Sequence, residues 1–126
     1  MDIKIDRVKM TLREKNYLTR LKIVTGIENW NIFARWAFCC SLNTAENIDL
    51  NFKDGDYGIE MSWMVFAGKN YKIYQDLLVQ ECLKFDLKPN KANITKVLRA
   101  DLRNGINLMF TQVKSLDDLV DLVDAA

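Results

Sequence analysis

The chain has 126 residues, 49% of them hydrophobic, with three Trp, four Tyr and six Phe, and a formal net charge of +1. That apolar share is too large for a disordered chain, the length suits one domain, and no apolar run approaches the roughly 20 residues that span a bilayer. Histidine is absent, which removes Ser-His-Asp and Cys-His catalysis and the HExxH zinc site.

Cys39, Cys40 and Cys82 are odd in number and lack CxxC spacing, against both a disulfide framework and a zinc site. Reduced, buried thiols are the expectation. The start, MDIKIDRVKM, is charged and alternating, unlike a signal peptide. A soluble, cytoplasmic protein without membrane contact is expected. Its charge is uneven. Residues 1–42 carry eight Lys/Arg against four acids, whereas residues 111–126 carry one Lys and four Asp. A basic front suits a polyanion, although from charge alone a solvated surface is the favoured reading.

In chain order, Ile3–Thr11 alternates Val8 and Met10 with Arg7, Lys9 and Thr11, a strand with one apolar and one basic face. Thr11–Glu14 reads TLRE and fits a capping box, in which Thr11 accepts from the third helical amide and Glu14 reaches back. The helix that follows places Tyr17, Leu18, Leu21 and Val24 on its core face and ends at Gly26. Ile23 points away from that face.

A second helix is predicted from about Asn29 to Leu42. Trp30, Phe33, Ala34 and Ala37 take one side; Ile32, Trp36, Cys39 and Cys40 take much of the other. Only Asn31 and Arg35 form a polar strip. A helix apolar nearly all round needs cover on every side, and a chain this size has little to spare. Neighbouring copies are the expected cover, with Ile23, Trp30, Ile32, Phe33, Trp36 and Cys40 at the interface. Arg35 is expected to be structural, in an ion pair with Glu28 or as an interface anchor.

Residues 43–58 form an acidic, turn-rich loop. Asp54, Asp56 and Glu60 lack the calcium-loop pattern, so no metal or other cofactor is expected. Ile59–Gly68 reads as a strand or extended lead-in, with Ile59, Met61, Trp63 and Val65 alternating. A third helix is predicted over Tyr71–Phe85. A fourth is expected to be capped by Asn93, with Gly105 near its end, and Ser115–Val123 reads as a short acidic amphipathic helix. One domain over 1–110, followed by an acidic tail over 111–126, is the expected organisation.

The basic strand, capped helix, TG turn and second helix match the ribbon-helix-helix pattern, in which two chains pair their strands and interlock their helices. The expected fold is therefore mainly α with short β elements: a ribbon-helix-helix-like front, an extended segment, two further helices and an intertwined oligomer. In more detail, IDRVKMT, LKIVTGIENWNIFARWAFCCSL, IEMSWMVFAG and LRADLRNGINLM closely resemble the small E subunits of the bacterial DNA phosphorothioation (Dnd) system. That resemblance spans about Ile3 to Met109. It implies a non-catalytic component that works beside the other Dnd subunits, which replace a non-bridging phosphate oxygen of DNA with sulfur. It also implies a homo-oligomer, a tetramer by expectation, that prefers nicked double-stranded DNA.

Cations that neutralise phosphates release counterions. Arg7, Lys9 and Thr11 on the strand, with Lys15, Arg20 and Lys22 on the first helix, are the expected DNA-binding residues. Lys96, Arg99 and Arg103 form a further basic stripe, read first as solvated and second as another DNA-facing surface. Cys39 and Cys40 are read as packing residues and not as sulfur carriers, which need exposure and a lowered pKa. Two other functions remain open. A sequence-specific repressor would read bases through Arg7, Lys9 and Thr11, and a scaffold subunit would not touch DNA.

Overall fold

The computed structural model describes Ile5 and residues 7–44, 48–51 and 55–125. The beginning of the expected strand at Ile3, together with Asp54, lies outside them. Among the described residues there are two strands, six α-helices and one 3-10 turn. None of these helices is long and apolar enough to cross a membrane.

Strand β1 covers Arg7–Thr11 and turns inward at Val8 and Met10, both buried. Thr11 then caps helix α1, Leu12–Thr25, through the full capping box: its hydroxyl accepts from Glu14 N and the Glu14 carboxylate accepts from Thr11 N. Gly26 ends the helix at φ 77 and ψ 2, a left-handed position that costs glycine nothing. Helix α2 covers Trp30–Thr44.

The partner of β1 is β2, Tyr57–Ser62 of the same chain, in an antiparallel ribbon. A bulge between Met10 and Thr11 breaks the regular register. Gly58 sits beside it, where a Cβ would come 2.9 Å from Leu12 Cα, so only glycine lets the ribbon lie this close to α1. One edge of β1 is thus paired within the chain, and its other edge has no strand beside it among the described residues.

The expected alternation of Ile59, Met61, Trp63 and Val65 stops halfway. Ser62 Oγ accepts from Val65 N and caps a short helix α3, Trp63–Ala67, so Trp63 is buried while Val65 is exposed. A 3-10 turn at Gly68–Asn70 leads into α4, Tyr71–Lys84. Helix α5, Lys91–Gln112, begins three residues earlier than expected because Asn90, and not Asn93, is its cap: Asn90 Oδ1 accepts from Asn93 N at 2.9 Å. Gly105 is not near its end. It lies within α5 against α2, where a Cβ would stand 1.8 Å from Ala37 O. Helix α6, Leu116–Ala125, starts with Ser115 Oγ accepting from Asp118 N.

The long α5 is what covers α2. Phe33, Ala34, Ala37 and Phe38 of α2 and Ile94, Leu98, Leu102, Ile106 and Met109 of α5 belong to one buried cluster. Phe38 also meets Phe66 and Tyr74, with ring centroids 6.1 and 6.0 Å away. Two expected interface residues are therefore corrected. Phe33 is 0% and Cys40 2% exposed, both within this chain's own core, so neither has surface to offer a second copy. Ile32, Trp30 and Trp36 remain half-buried, and Ile23 is 77% exposed.

A candidate nucleic-acid interface

The outward positions of β1 carry Arg7 and Lys9, because period-two alternation turns Val8 and Met10 into the core. Across the ribbon Lys9 stands opposite Glu60, and Arg7 Nε pairs with Glu60 Oε1 at 3.0 Å. Both side chains of that pair are half-exposed, so the bond is worth at most about 1 kcal/mol and a phosphate oxygen can compete for Arg7.

Helix α5 brings a second row of cations to the same place. Lys91, Thr95 and Arg99 are spaced i, i+4, i+8 and share one helical face. With Arg7, Lys9 and Tyr57 they line an open concavity of about 360 Å³. Tyr57 is clasped between the rows. Arg99 Nη1 donates to its hydroxyl at 2.8 Å, the Arg99 guanidinium lies 4.9 Å from its ring centroid, and Lys9 Nζ lies 5.2 Å from it. Cation–π contacts of this kind hold cationic heads over a ring without neutralising them. Four cations thus converge on one concave surface, which concentrates positive potential where a polyanion would lie.

The other expected contacts fare differently. Thr11 is corrected: it is 5% exposed and its hydroxyl is committed to Glu14, donating to Oε2 at 2.9 Å and accepting from the amide at 3.2 Å. A helix cap cannot also face DNA. Lys15 is half-buried, its stem lying against Gly58 at the ribbon bulge. Lys22 turns toward Trp30, with Nζ 4.0 Å from the ring, and Arg20 is exposed further along α1. Neither lines the concavity. Sequence reasoning missed Lys91, Thr95 and Tyr57 and grouped Arg99 with Lys96 and Arg103. Starting α5 at Asn90 would have exposed the i, i+4, i+8 row, because Lys91 then becomes helical.

Among the described residues, Arg35 makes no ion pair with Glu28. Its Nη2 donates to Val65 O at 3.5 Å and its guanidinium lies against Gly68. Among the cysteines, Cys82 and Cys40 are buried while Cys39 keeps an exposed surface, which corrects the expectation of full burial. Desolvation nevertheless pushes the Cys39 thiol up, against a hydrogen bond with Tyr74 that pulls it down. Burial, and then Cys39 itself, push Cys40 up as well. Thiols held protonated in this way lack the thiolate a sulfur carrier needs.

The family model described as DNA sulphur modification protein DndE matches residues 7–117. The fold is similar to the crystal structure of DndE from Escherichia coli B7A, involved in DNA phosphorothioation modification: TM-score 0.69 and 21% identity, covering 85% of this chain and 98% of that one. A DndE G21/24K mutant structure gives a TM-score of 0.65 and 20% identity, covering 86% and 99%. No curated protein matches. With the family match running through both strands of the ribbon and every helix up to the start of α6, the chain belongs to the DndE family of DNA sulphur modification proteins.

Proposed function

We propose that this protein is a non-catalytic DNA-binding subunit of DNA phosphorothioation, acting in the cytoplasm as a homo-oligomer beside the other Dnd subunits. The observation that carries the DNA-binding part is the convergence of Arg7, Lys9, Lys91 and Arg99 around Tyr57 in one concavity. Two strand cations and two helix cations meeting on a curved surface suit a duplex backbone, whose phosphates lie in two rows. A preference for nicked duplex rests on the resemblance to the Dnd E subunits. The absence of histidine and the protonated thiols support a binding role over a chemical one. The in-chain pairing of β1 with β2 leaves a repressor ribbon built from two copies only the outer edge of β1.

Oligomer formation is supported by the apolar surface that one chain leaves uncovered: Ile23, Met64 and Val65 are exposed, and Trp30 and Ile32 are half-buried. A tetramer is the expected state. The test is fluorescence anisotropy with nicked and intact duplex across a salt series. Lys9→Gln combined with Arg99→Gln should weaken binding and flatten the log–log salt slope by about 0.9 for each phosphate no longer neutralised. An unchanged slope would remove the concavity from DNA binding. Equal affinity for nicked and intact duplex would remove the nick preference alone.

A further inference from the structure

The end of the molecule reached by the C-terminus of α5 has the opposite character. Helix α6 carries Asp117, Asp118, Asp121 and Asp124 and no Lys or Arg. Yet it does not lie as a solvated acidic tail. Leu119 is buried at 1% exposure, while Leu116 and Val120, one turn apart, stay 47% and 49% exposed. These two, with Leu119, Ile27 and Trp36, line an apolar groove of about 180 Å³ between α2 and α6, and Asp124 stands in its wall. Asp118 is occupied at the start of the helix, accepting from Lys114 N at 2.9 Å. Asp117, Asp121 and Asp124 are exposed, and Glu28 follows directly on Ile27.

We infer that the α2–α6 groove is a docking surface for a basic amphipathic helix of a partner protein, its apolar side chains seated on Trp36 and Val120 and its Lys or Arg flanks facing Asp117, Asp121 and Asp124. Charge complementarity decides the occupant. An apolar groove with Asp124 in its wall, on a helix that also exposes Asp117 and Asp121, favours an apolar anchor flanked by cations and repels nucleic acid. The location keeps the two surfaces apart. Helix α5 has 22 residues and is therefore about 33 Å long; its first turns line the basic concavity and its last lead to α6. Both surfaces can be occupied at once. The family match ends at residue 117, so Leu119, Val120 and Asp124 of the groove fall beyond it while Ile27, Trp36 and Leu116 lie within it.

A fluorescein-labelled synthetic helix, with Lys on its polar face and Leu on the other, supplies the probe for anisotropy with the full chain. It should bind, and a scrambled version and a Glu-for-Lys version should each bind at least about tenfold more weakly. Leu116→Ser with Val120→Ser, and separately Asp117→Asn, Asp121→Asn and Asp124→Asn together, should each cost a similar factor of about ten while leaving thermal stability and DNA affinity in place. These side chains are exposed, so their replacement does not threaten folding. Equal binding of the scrambled helix, or indifference to both sets of variants, overturns the inference. So does a fall in the sedimenting mass of the chain alone on Leu116→Ser with Val120→Ser, because the groove would then hold a second copy.

Discussion

Replacing Thr11 with valine keeps the shape of the side chain and removes the hydroxyl that joins β1 to α1. Glu14, itself buried at the same cap, loses the donor at 2.9 Å, and its amide loses the acceptor at 3.2 Å. Loss of such a cap costs about 1 kcal/mol. Chemical denaturation should show a loss of that order while DNA affinity stays unchanged; a drop in affinity at constant stability would return Thr11 to the interface. The capping box is legible in the sequence because its spacing is local. The exclusion of Thr11 from the basic face is not, because alternation alone cannot say that the next residue begins a helix and takes the hydroxyl. Gly105 gives the converse case. Its sequence signal is that of a helix end, but the backbone of α2 approaches α5 there. Gly105→Ala would push a Cβ onto Ala37 O, which is backbone and cannot swing aside. Overpacking of this kind costs about 1–3 kcal/mol or more, so thermal melting should show one of the largest losses available to a single added methyl.

Between α2, α4 and α5 the elements are joined by a buried polar seam. Ser41 Oγ donates to Asp101 Oδ1 at 2.6 Å, and Asn104 Nδ2 donates to Ser41 Oγ at 3.0 Å. Asp101 Oδ2 meets no N–H or O–H donor, yet the carboxyl bonds to Glu81 of α4, and two carboxyl groups can do so only when one holds a proton. Burial, followed by the bond to Glu81, pushes the Asp101 carboxyl up to about 8, against the opposing bond from Ser41. An unfolded aspartate releases its proton near pH 3.9. Between that value and about 8, unfolding therefore releases a proton, and stability must fall as pH rises. Below that window, and again above it, this group contributes no slope. Melting temperatures should decline through the window, and Asp101→Asn, whose amide can donate to Glu81 and accept from Ser41, should abolish the decline and stabilise the protein at its alkaline end. An Asp101→Asn protein with the parental slope would place the titration elsewhere. Nothing in the sequence reveals this seam: Ser41, Glu81 and Asp101 are far apart in the chain, and each looks like an ordinary polar position on its own helix. The ends of α1 and the existence of α4 and α5 are legible from local caps and apolar spacing. The change from β2 to α3 at Ser62 is not, because Trp63 fits the buried side of a continuing strand as well as it fits a helix.

For the whole molecule the decisive quantity is how much of α2 one chain covers. Apolar character on nearly every side implies cover from other copies, and by that reasoning Phe33 and Cys40 belong to an interface. Helix α5 supplies that cover instead, and its full 22 residues are hidden in the sequence because Gly105 mimics a helix end. What stays uncovered includes Ile23, 77% exposed on α1, with Met64 and Val65 exposed on α3, and on α2 the exposed Cys39 and the half-buried Trp30, Ile32 and Trp36. If these surfaces pack between copies, each copy contributes one basic concavity, and several concavities held together bind one duplex with an avidity that can exceed a single site by about 10²–10⁴. Ile23→Glu with Ile32→Glu places two carboxylates in that contact and leaves the buried core of each chain alone. Sedimentation should then give the single-chain mass of 14.7 kDa, where the parent gives a multiple of it. Duplex affinity should fall by about 10² or more although no residue of the basic concavity has changed. A parent that already sediments at 14.7 kDa would mean that one chain is the working unit, and Ile23 would then be no more than a solvent-exposed isoleucine. A variant that dissociates yet holds DNA as tightly as before would mean that each concavity acts alone, and that oligomer formation serves something other than grip on the duplex.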